Sequence, residues 1–259
     1  MFSWLFPKKT VDTKSQQEKF QEDFSNIEIV AEYFKDLTGV TFDKQISILN
    51  SKTRGFCQAH NINSYTQLLQ KISHDDVLKQ ELINRLTTNE TFFYREFKQI
   101  AELVSLVQQE QHPITILCAP CATGEESYSI AIALLEANIP TTHFKIVGID
   151  INSDAINKAK KAIYKERNLR NLTDEIRKKY FTLHEDKYHL NEEVKKLTEF
   201  KILNIFEDEF TKLKKFDYVF SRNMLIYFDA QTKKKAVDIL HSMQKDPKKE
   251  IFFGHADLF

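Results

Sequence analysis

The chain has 259 residues with 37 basic and 37 acidic side chains, so its formal net charge is zero. Apolar residues make up 42% and charged residues 29%, which excludes a disordered or collagen-like chain and fits one large or two small globular domains. The balanced charge argues against bulk binding of nucleic acid, no apolar run approaches the roughly 20 residues of a membrane span, and three cysteines are too few for a disulfide framework.

Residues 1–23 are polar and lysine-rich after an apolar start of Phe2, Trp4, Leu5 and Phe6. They read as a loose N-terminal tail that also has the residues to dock a partner. Its charges follow the apolar stretch, unlike a secretory leader, so the cytoplasm is the expected compartment. Residues 24–86 read as a small helical domain. Ile27, Val30, Ala31, Phe34 and Leu37 recur at helical spacing, and Gly39 follows as a C-cap. Ile46, Ile48 and Leu49 open a second helix. Ser64 with Gln67 three residues on opens a third, and Val77, Leu82, Ile83 and Leu86 mark a fourth. Residues 87–112 form a linking segment.

From Pro113 strands alternate with helices. The expected strands are 114–118, 144–150, 200–203, 216–220 and 251–253. The expected helices are 125–138, 153–162 and 230–244. This rhythm predicts an α/β fold with a parallel, Rossmann-like sheet covered on both faces. Residues 163–199 interrupt it and read as a small inserted β-subdomain.

The first strand runs into Cys118-Ala119-Pro120-Cys121-Ala122-Thr123-Gly124-Glu125-Glu126. A strand, a tight loop and a helix start form the place where such sheets bind nucleotides. A single glycine does not satisfy the dinucleotide pattern, and two acids at the helix start would repel a pyrophosphate. The acids suit a cationic ligand without phosphate, such as S-adenosylmethionine; they also simply complement the helix dipole. Gly148 allows close backbone approach. Asp150, ending the second strand, is placed either to accept both hydroxyls of a ribose or to cap the next helix. Cys118 and Cys121 form a C-x-x-C read as packing and turn residues. The eight histidines show no metal-ligand spacing, so no metal site is expected.

Four blocks, Thr87–Glu96, Ala122–Ile130, Val147–Asp150 and Phe216–Phe228, together resemble the chemotaxis receptor glutamate methyltransferases, the CheR-type family. Gly254-His255-Ala256 resembles the family's Gly-His-Ser. The resemblance covers about residues 24–259. It implies an S-adenosylmethionine-dependent methyltransferase domain over 113–259, preceded by an all-α domain, with residues 87–96 closing over the cofactor. By resemblance, Asn89, Thr91 and Arg95 contact the cofactor and Glu126 binds its methionine end, with Glu125 the second candidate. Asp150 holds the ribose, Asn204 and Ile205 the adenine, and Arg222 and Asn223 line the crevice. Arg95 and Tyr227 face the transferring methyl as catalytic residues.

The implied reaction is methylation of glutamate side chains on a chemoreceptor cytoplasmic signalling domain, leaving S-adenosylhomocysteine. A carboxylate nucleophile with a pKa of about 4.3 is already ionised at neutral pH, so no general base is required. The alternatives are a cofactor-binding but inactive regulatory or scaffold relative, a methyltransferase of RNA or small molecules, and, least of all, a nicotinamide dehydrogenase.

Three departures from the family pattern shape the expectations. The stretch 43–56 carries only Lys44, Lys52 and Arg54, where relatives have a strongly basic docking helix, so docking there is weaker and more salt-tolerant. The insert is short between Phe181 and Glu192 and lacks glycine, which argues against gripping a receptor peptide by strand addition. Ile251-Phe252-Phe253 lies at the end of the sheet. Its edge is expected to be covered by the tail, a second subunit or residues 254–259.

Overall fold

The computed structural model describes residues 23–257; the expected N-terminal tail, with Phe2, Trp4, Leu5 and Phe6, lies outside them. Helices α1 (Glu28–Thr38), α2 (Ile46–Ala59), α3 (Tyr65–Ile72) and α4 (Asp76–Leu86) come first. Their ends follow the local sequence. Gly39 takes a left-handed φ of 78° and donates its N–H to the Lys35 carbonyl. The Ser64 hydroxyl accepts the Gln67 N–H, and the Asp75 carboxylate accepts that of Leu78. Val30, Phe34, Leu49, Phe56, Leu68 and Leu82 close a core among these four helices. Two expectations shift by one residue. Val77 is 71% exposed, because the buried stripe of α4 runs through Leu78, Leu82 and Leu86. Ile46 and Ile48 are also exposed, and only Leu49 of that trio enters the core.

Next come α5 (Phe97–Val107), β1 (Ile114–Cys118), α6 (Glu125–Glu136), β2 (Phe144–Asp150) and α7 (Ser153–Lys161). Strand β3 (Ile163–Lys165), helix α8 (Asp174–Tyr180), β4 (Phe181–His184), β5 (Lys187–Leu190) and the single turn α9 (Glu192–Lys195) make up the insert. The chain continues through β6 (Thr198–Ile202), α10 (Asp208–Thr211), β7 (Tyr218–Ser221), α11 (Ala230–Ser242) and β8 (Phe252–Phe253).

The main sheet has the order β6-β2-β1-β7-β8, and every pairing is parallel. The chain winds outward from β1 through β2 to β6, then returns to β7 on the other side of β1. That reversal opens a crevice beyond the carboxyl ends of β1 and β7. One face of the sheet packs under α5, α6 and the insert; the other packs under α10 and α11. The insert's strands pair antiparallel in the order β3-β5-β4.

The boundaries differ from expectation where side chains compete with the ladder. Strand β7 starts at Tyr218, since Asp217 turns its carboxylate onto the Thr115 N–H and hydroxyl and onto Lys245. Cover of the β8 edge is divided. The side chains of Ile251 and Phe252 are buried, with Phe252 stacked on Phe220. Residues 254–257 turn back towards the β7–α11 loop, and Gln99 of α5, which was not among the expected covers, donates to the Phe253 carbonyl. A groove of about 450 Å³ remains between α5 and β8.

The helical core is tied directly to the sheet. The Asn204 amide donates to the Leu37 carbonyl at 2.8 Å, and the Thr41 N–H donates to that of Tyr227 at 2.8 Å. The Asn84 side chain pairs with Ser153 at the start of α7. A Cβ on Gly39 would stand 2.5 Å from the Phe206 ring, so the C-cap glycine also allows this close approach.

Candidate active site

A cavity of about 550 Å³ occupies the crevice beyond the carboxyl ends of the strands, within the size range of small-molecule sites. Its walls come from three parts of the chain: α1 and α2 with the turn between them, residues 86–95, and the loops following β1, β2, β6 and β7. Ten residues expected at the site line it: Asn89, Thr91, Arg95, Glu126, Asp150, Asn204, Ile205, Arg222, Asn223 and Tyr227.

The loop after β1 is held in shape by tight packing. Ala122 adopts a left-handed φ of 46°, and Gly124 follows with φ of 90°. A Cβ on Gly124 would stand 2.9 Å from the Ala159 Cβ, so this glycine answers to both conformation and space. Gly148 does allow a close approach, and it is one from within the protein. The Phe200 ring would lie 2.7 Å from a Cβ there, and Cys121 2.9 Å, so protein side chains rather than a ligand require it. Cys118 and Cys121 are buried free thiols. Burial pushes both well above the usual thiol range, and inert packing suits them.

Asp150 is buried at the cavity wall. Its two oxygens accept the N–H groups of Asn152 and Ala122, each at 2.9 Å. Burial nevertheless pushes its carboxyl up to about 6, against those backbone donors. A carboxylate has about four lone-pair sites, so two further donors can still be accepted.

Glu126 and Arg222 form a sealed ion pair, with Arg222 Nε 2.5 Å from Glu126 Oε2. The contact sets charge against charge without the alignment of a hydrogen bond at Nε. Glu126 Oε1 is buried and has no hydrogen-bond partner. Burial raises the Glu126 carboxyl, and Arg222 opposes that rise. The rest of the guanidinium reaches across to residues 95–99, donating to the Arg95 carbonyl at 2.8 Å and to Gln99 Oε1 at 3.3 Å.

Glu125, its neighbour, does not line the cavity. Its carboxylate accepts Thr123 Oγ1 at 2.6 Å and Asn168 Nδ2 at 2.8 Å, which ties the site loop to the insert. The two acids stand about 100° apart around the helix, so one faces the cavity and the other the insert.

Residues 93–96 are locked from behind. The Phe93 N–H donates to the Asn168 carbonyl, and the Tyr94 N–H to the Ser129 hydroxyl. Tyr94 and Glu96 both take left-handed φ values, as does Asn223 across the cavity. Non-glycine residues in that region are held there by their surroundings and gather at functional sites. Arg95 donates to the Glu90 carbonyl and stands 5.7 Å from the Phe92 ring. Tyr227 is half-buried. Burial raises its hydroxyl, and the charge of Arg95, which lines the same cavity, pulls it the other way.

Asn204 lines the cavity with its amide already engaged: Nδ2 binds the Leu37 carbonyl and Oδ1 accepts the Phe206 N–H. Ile48 and Lys52, one turn apart on α2, also line the cavity. The sequence placed Ile48 among the apolar residues that open this helix and Lys52 among the few basic residues of a docking stretch, and neither reading points to the cavity. Asp257, buried behind the β7–α11 loop, had no signal.

The donor set suits a cationic nucleoside. Two buried carboxylates, Glu126 and Asp150, offer acceptors to hydroxyl or ammonium donors, and Ile149, Leu203 and Ile205 give the walls an apolar stretch that can take a ring. One acceptor, Glu126 Oε1, lacks a donor. Among the described residues no cluster of His, Cys, Asp or Glu is arranged to hold a metal, and no helix is long and apolar enough to cross a membrane.

The sequence matches the family described as CheR methyltransferase, SAM binding domain, over residues 89–259. A chemotaxis protein methyltransferase of Campylobacter jejuni subsp. jejuni serotype O:23/36 is 35% identical over 224 residues, covering 86% of this chain and 84% of that protein. One from Borreliella burgdorferi is 34% identical over 220 residues, covering 80% of this chain and 76% of that protein. Among solved structures, magnesium protoporphyrin IX methyltransferase from Synechocystis PCC 6803 with bound SAM aligns with a TM-score of 0.34 at 14% identity. That alignment covers 90% of this chain and 82% of that one. A doubly wound sheet, a crevice edged with buried carboxylates and these sequence matches agree: the chain belongs to the CheR methyltransferase family, and its cofactor is S-adenosylmethionine.

Proposed function

We propose that this protein methylates glutamate side chains on the cytoplasmic signalling domains of chemoreceptors, forming glutamate methyl esters in sensory adaptation. The observation that carries this reading is that Arg95 and Tyr227 line the same cavity as the buried carboxylates Glu126 and Asp150. The names of the relatives support the chemotaxis setting.

S-adenosylmethionine supplies an electrophilic methyl on a sulfonium, which an oxygen nucleophile takes by in-line displacement. Asp150 accepts the ribose hydroxyls. Glu126, held by Arg222, accepts the ammonium. Ile205 covers the adenine, and Asn204 shapes that wall through its backbone because its amide is engaged elsewhere. Asn89 and Thr91 contact the cofactor from the covering segment, and Asn223 from the β7–α11 loop. Glu125 leaves the cofactor set and joins the site loop to the insert.

The acceptor carboxylate, with an ordinary pKa of about 4.3, arrives ionised and needs no base. The protein then contributes placement and exclusion of water. Arg95 orients one carboxylate oxygen and leaves the other free to react. The Tyr227 hydroxyl, protonated at neutral pH as any phenol is, donates to hold the acceptor in line. Transfer of labelled methyl to a purified chemoreceptor signalling domain tests the reading. Base-labile label in the wild type, lost when the acceptor glutamates become alanine, is the expected result; no label with the cofactor bound would overturn it.

A further inference from the structure

We infer that Asp257 is a positioning residue for methyl transfer: its buried carboxylate gathers the backbone of the β7–α11 loop and sets Asn223 and Tyr227 over the cavity. This rests on the roles proposed above for Asn223 and Tyr227.

The carboxylate is 3% exposed at the residue level and lies outside the cavity lining. One oxygen accepts the Asn223 N–H at 2.5 Å and the Gly254 N–H at 3.1 Å; the other accepts the Ile226 N–H at 3.3 Å. The Leu225 N–H adds to the same field. A single side chain therefore serves as acceptor for most of a turn that carries Asn223, Met224, Ile226 and Tyr227 to the cavity. The turn needs such a partner. Asn223 sits at a left-handed φ of 60°, and residues 223–226 have no strand neighbour to take their N–H groups. Their alternatives would be water or no partner, and a buried unpaired N–H is costly. Gly254 is the matching adaptation: a Cβ there would stand 3.0 Å from both the Asn223 nitrogen and Asp257 Oδ2.

The loop is thus clamped from both sides. Thr41 holds the Tyr227 carbonyl from the helical core, and Asp257 holds the N–H groups from the end of the sheet. The Asp257 charge also favours the neutral phenol of Tyr227. A displacement of about 1 Å in a positioning element costs up to about 100-fold in rate, so the clamp bears on turnover more than on cofactor affinity.

The test compares wild type, Asp257→Asn, Asp257→Glu and Tyr227→Phe. Amide hydrogen exchange of the loop spanning 223–227 is read in the cofactor-free protein, together with S-adenosylhomocysteine affinity and methyl transfer to a receptor signalling domain. Asp257→Asn is expected to speed exchange in that loop at least tenfold and to lower kcat by about 10–100-fold, with affinity changed less than threefold. Asp257→Glu, which keeps a carboxylate, is expected to recover at least part of both. Unchanged loop exchange in Asp257→Asn would overturn the inference whatever the acceptor proves to be. So would unchanged kcat beside a slowed Tyr227→Phe. A wild type that labels no receptor, with the exchange difference present, would count against the proposed acceptor and leave the clamp standing.

Discussion

Arg222 and Glu126 meet 2.5 Å apart with both side chains more than nine-tenths buried, one from the end of β7 and the other from the first turn of α6. The pair spans the switch point of the sheet. Removing the cation alone leaves a buried carboxylate uncompensated, which typically costs about 3–5 kcal/mol. Arg222→Ala is expected to lose stability on that scale in urea unfolding. It also frees the Arg95 carbonyl, so turnover is expected to fall further than stability alone explains. An unfolding midpoint equal to wild type would refute the assignment.

Glu125 and Glu126 are adjacent in sequence and opposite in consequence. Glu126→Gln removes the charge proposed to meet the cofactor's ammonium and should weaken S-adenosylhomocysteine binding tenfold or more. Glu125→Gln should change that affinity less than threefold, because its carboxylate already serves Thr123 and Asn168. Calorimetry on the two variants decides which acid the ligand meets.

Asp150 predicts a pH dependence with a definite sign. Its carboxyl is pushed up to about 6 in the free protein, above the value of an unfolded chain. In the proposed role ribose hydroxyls donate to the ionised form, so binding should be strongest above that pH and weaken as the group protonates. At pH 5.5 roughly a quarter of the free protein is ionised, and affinity should fall about fourfold from its value at pH 7.5. Binding near pH 6 should release protons, visible as buffer-dependent heats. Folding stability runs the other way: the folded state binds the proton more tightly, so this residue's contribution declines as pH rises from about 4 to 6. Asp150→Asn should bind about 10–100-fold more weakly and lose the pH dependence.

Gly39→Ala should destabilise by at least about 1 kcal/mol, since it forces a side chain into a left-handed cap and against Phe206. Thermal unfolding of the variant measures this. An equal melting temperature would mean that the Phe206 ring moves aside freely.

The sheet was legible because its strands are buried on both faces and read as apolar runs, as in Ile114–Cys118 and Phe144–Asp150. The cavity was legible where a residue stands at a recognisable position, such as Asp150 at a strand end. It was illegible where the partner is distant backbone. Asp257 binds N–H groups 31 and 34 residues earlier, and no periodicity records that. Gly148 was readable as a close approach, but only the register β2–β6, which sets Gly148 beside Phe200, identifies what approaches. Glu125 and Glu126 could not be told apart from spacing alone, since Asn168 reaches the first of them from the insert.

The cavity wall is assembled from two hydrophobic cores, one made by the four leading helices and the other by the face of the sheet under α10 and α11. A molecule seated there touches both, so its binding free energy is shared across their junction. Without it the cores are joined by hydrogen bonds, the Lys35–Asp229 ion pair and the seat of Gly39 against Phe206, and can melt as separate cooperative units. With it they should melt together, at a temperature that climbs with the logarithm of ligand concentration. The cofactor is then also a strut, and a cell low in it would hold a looser enzyme rather than merely an idle one.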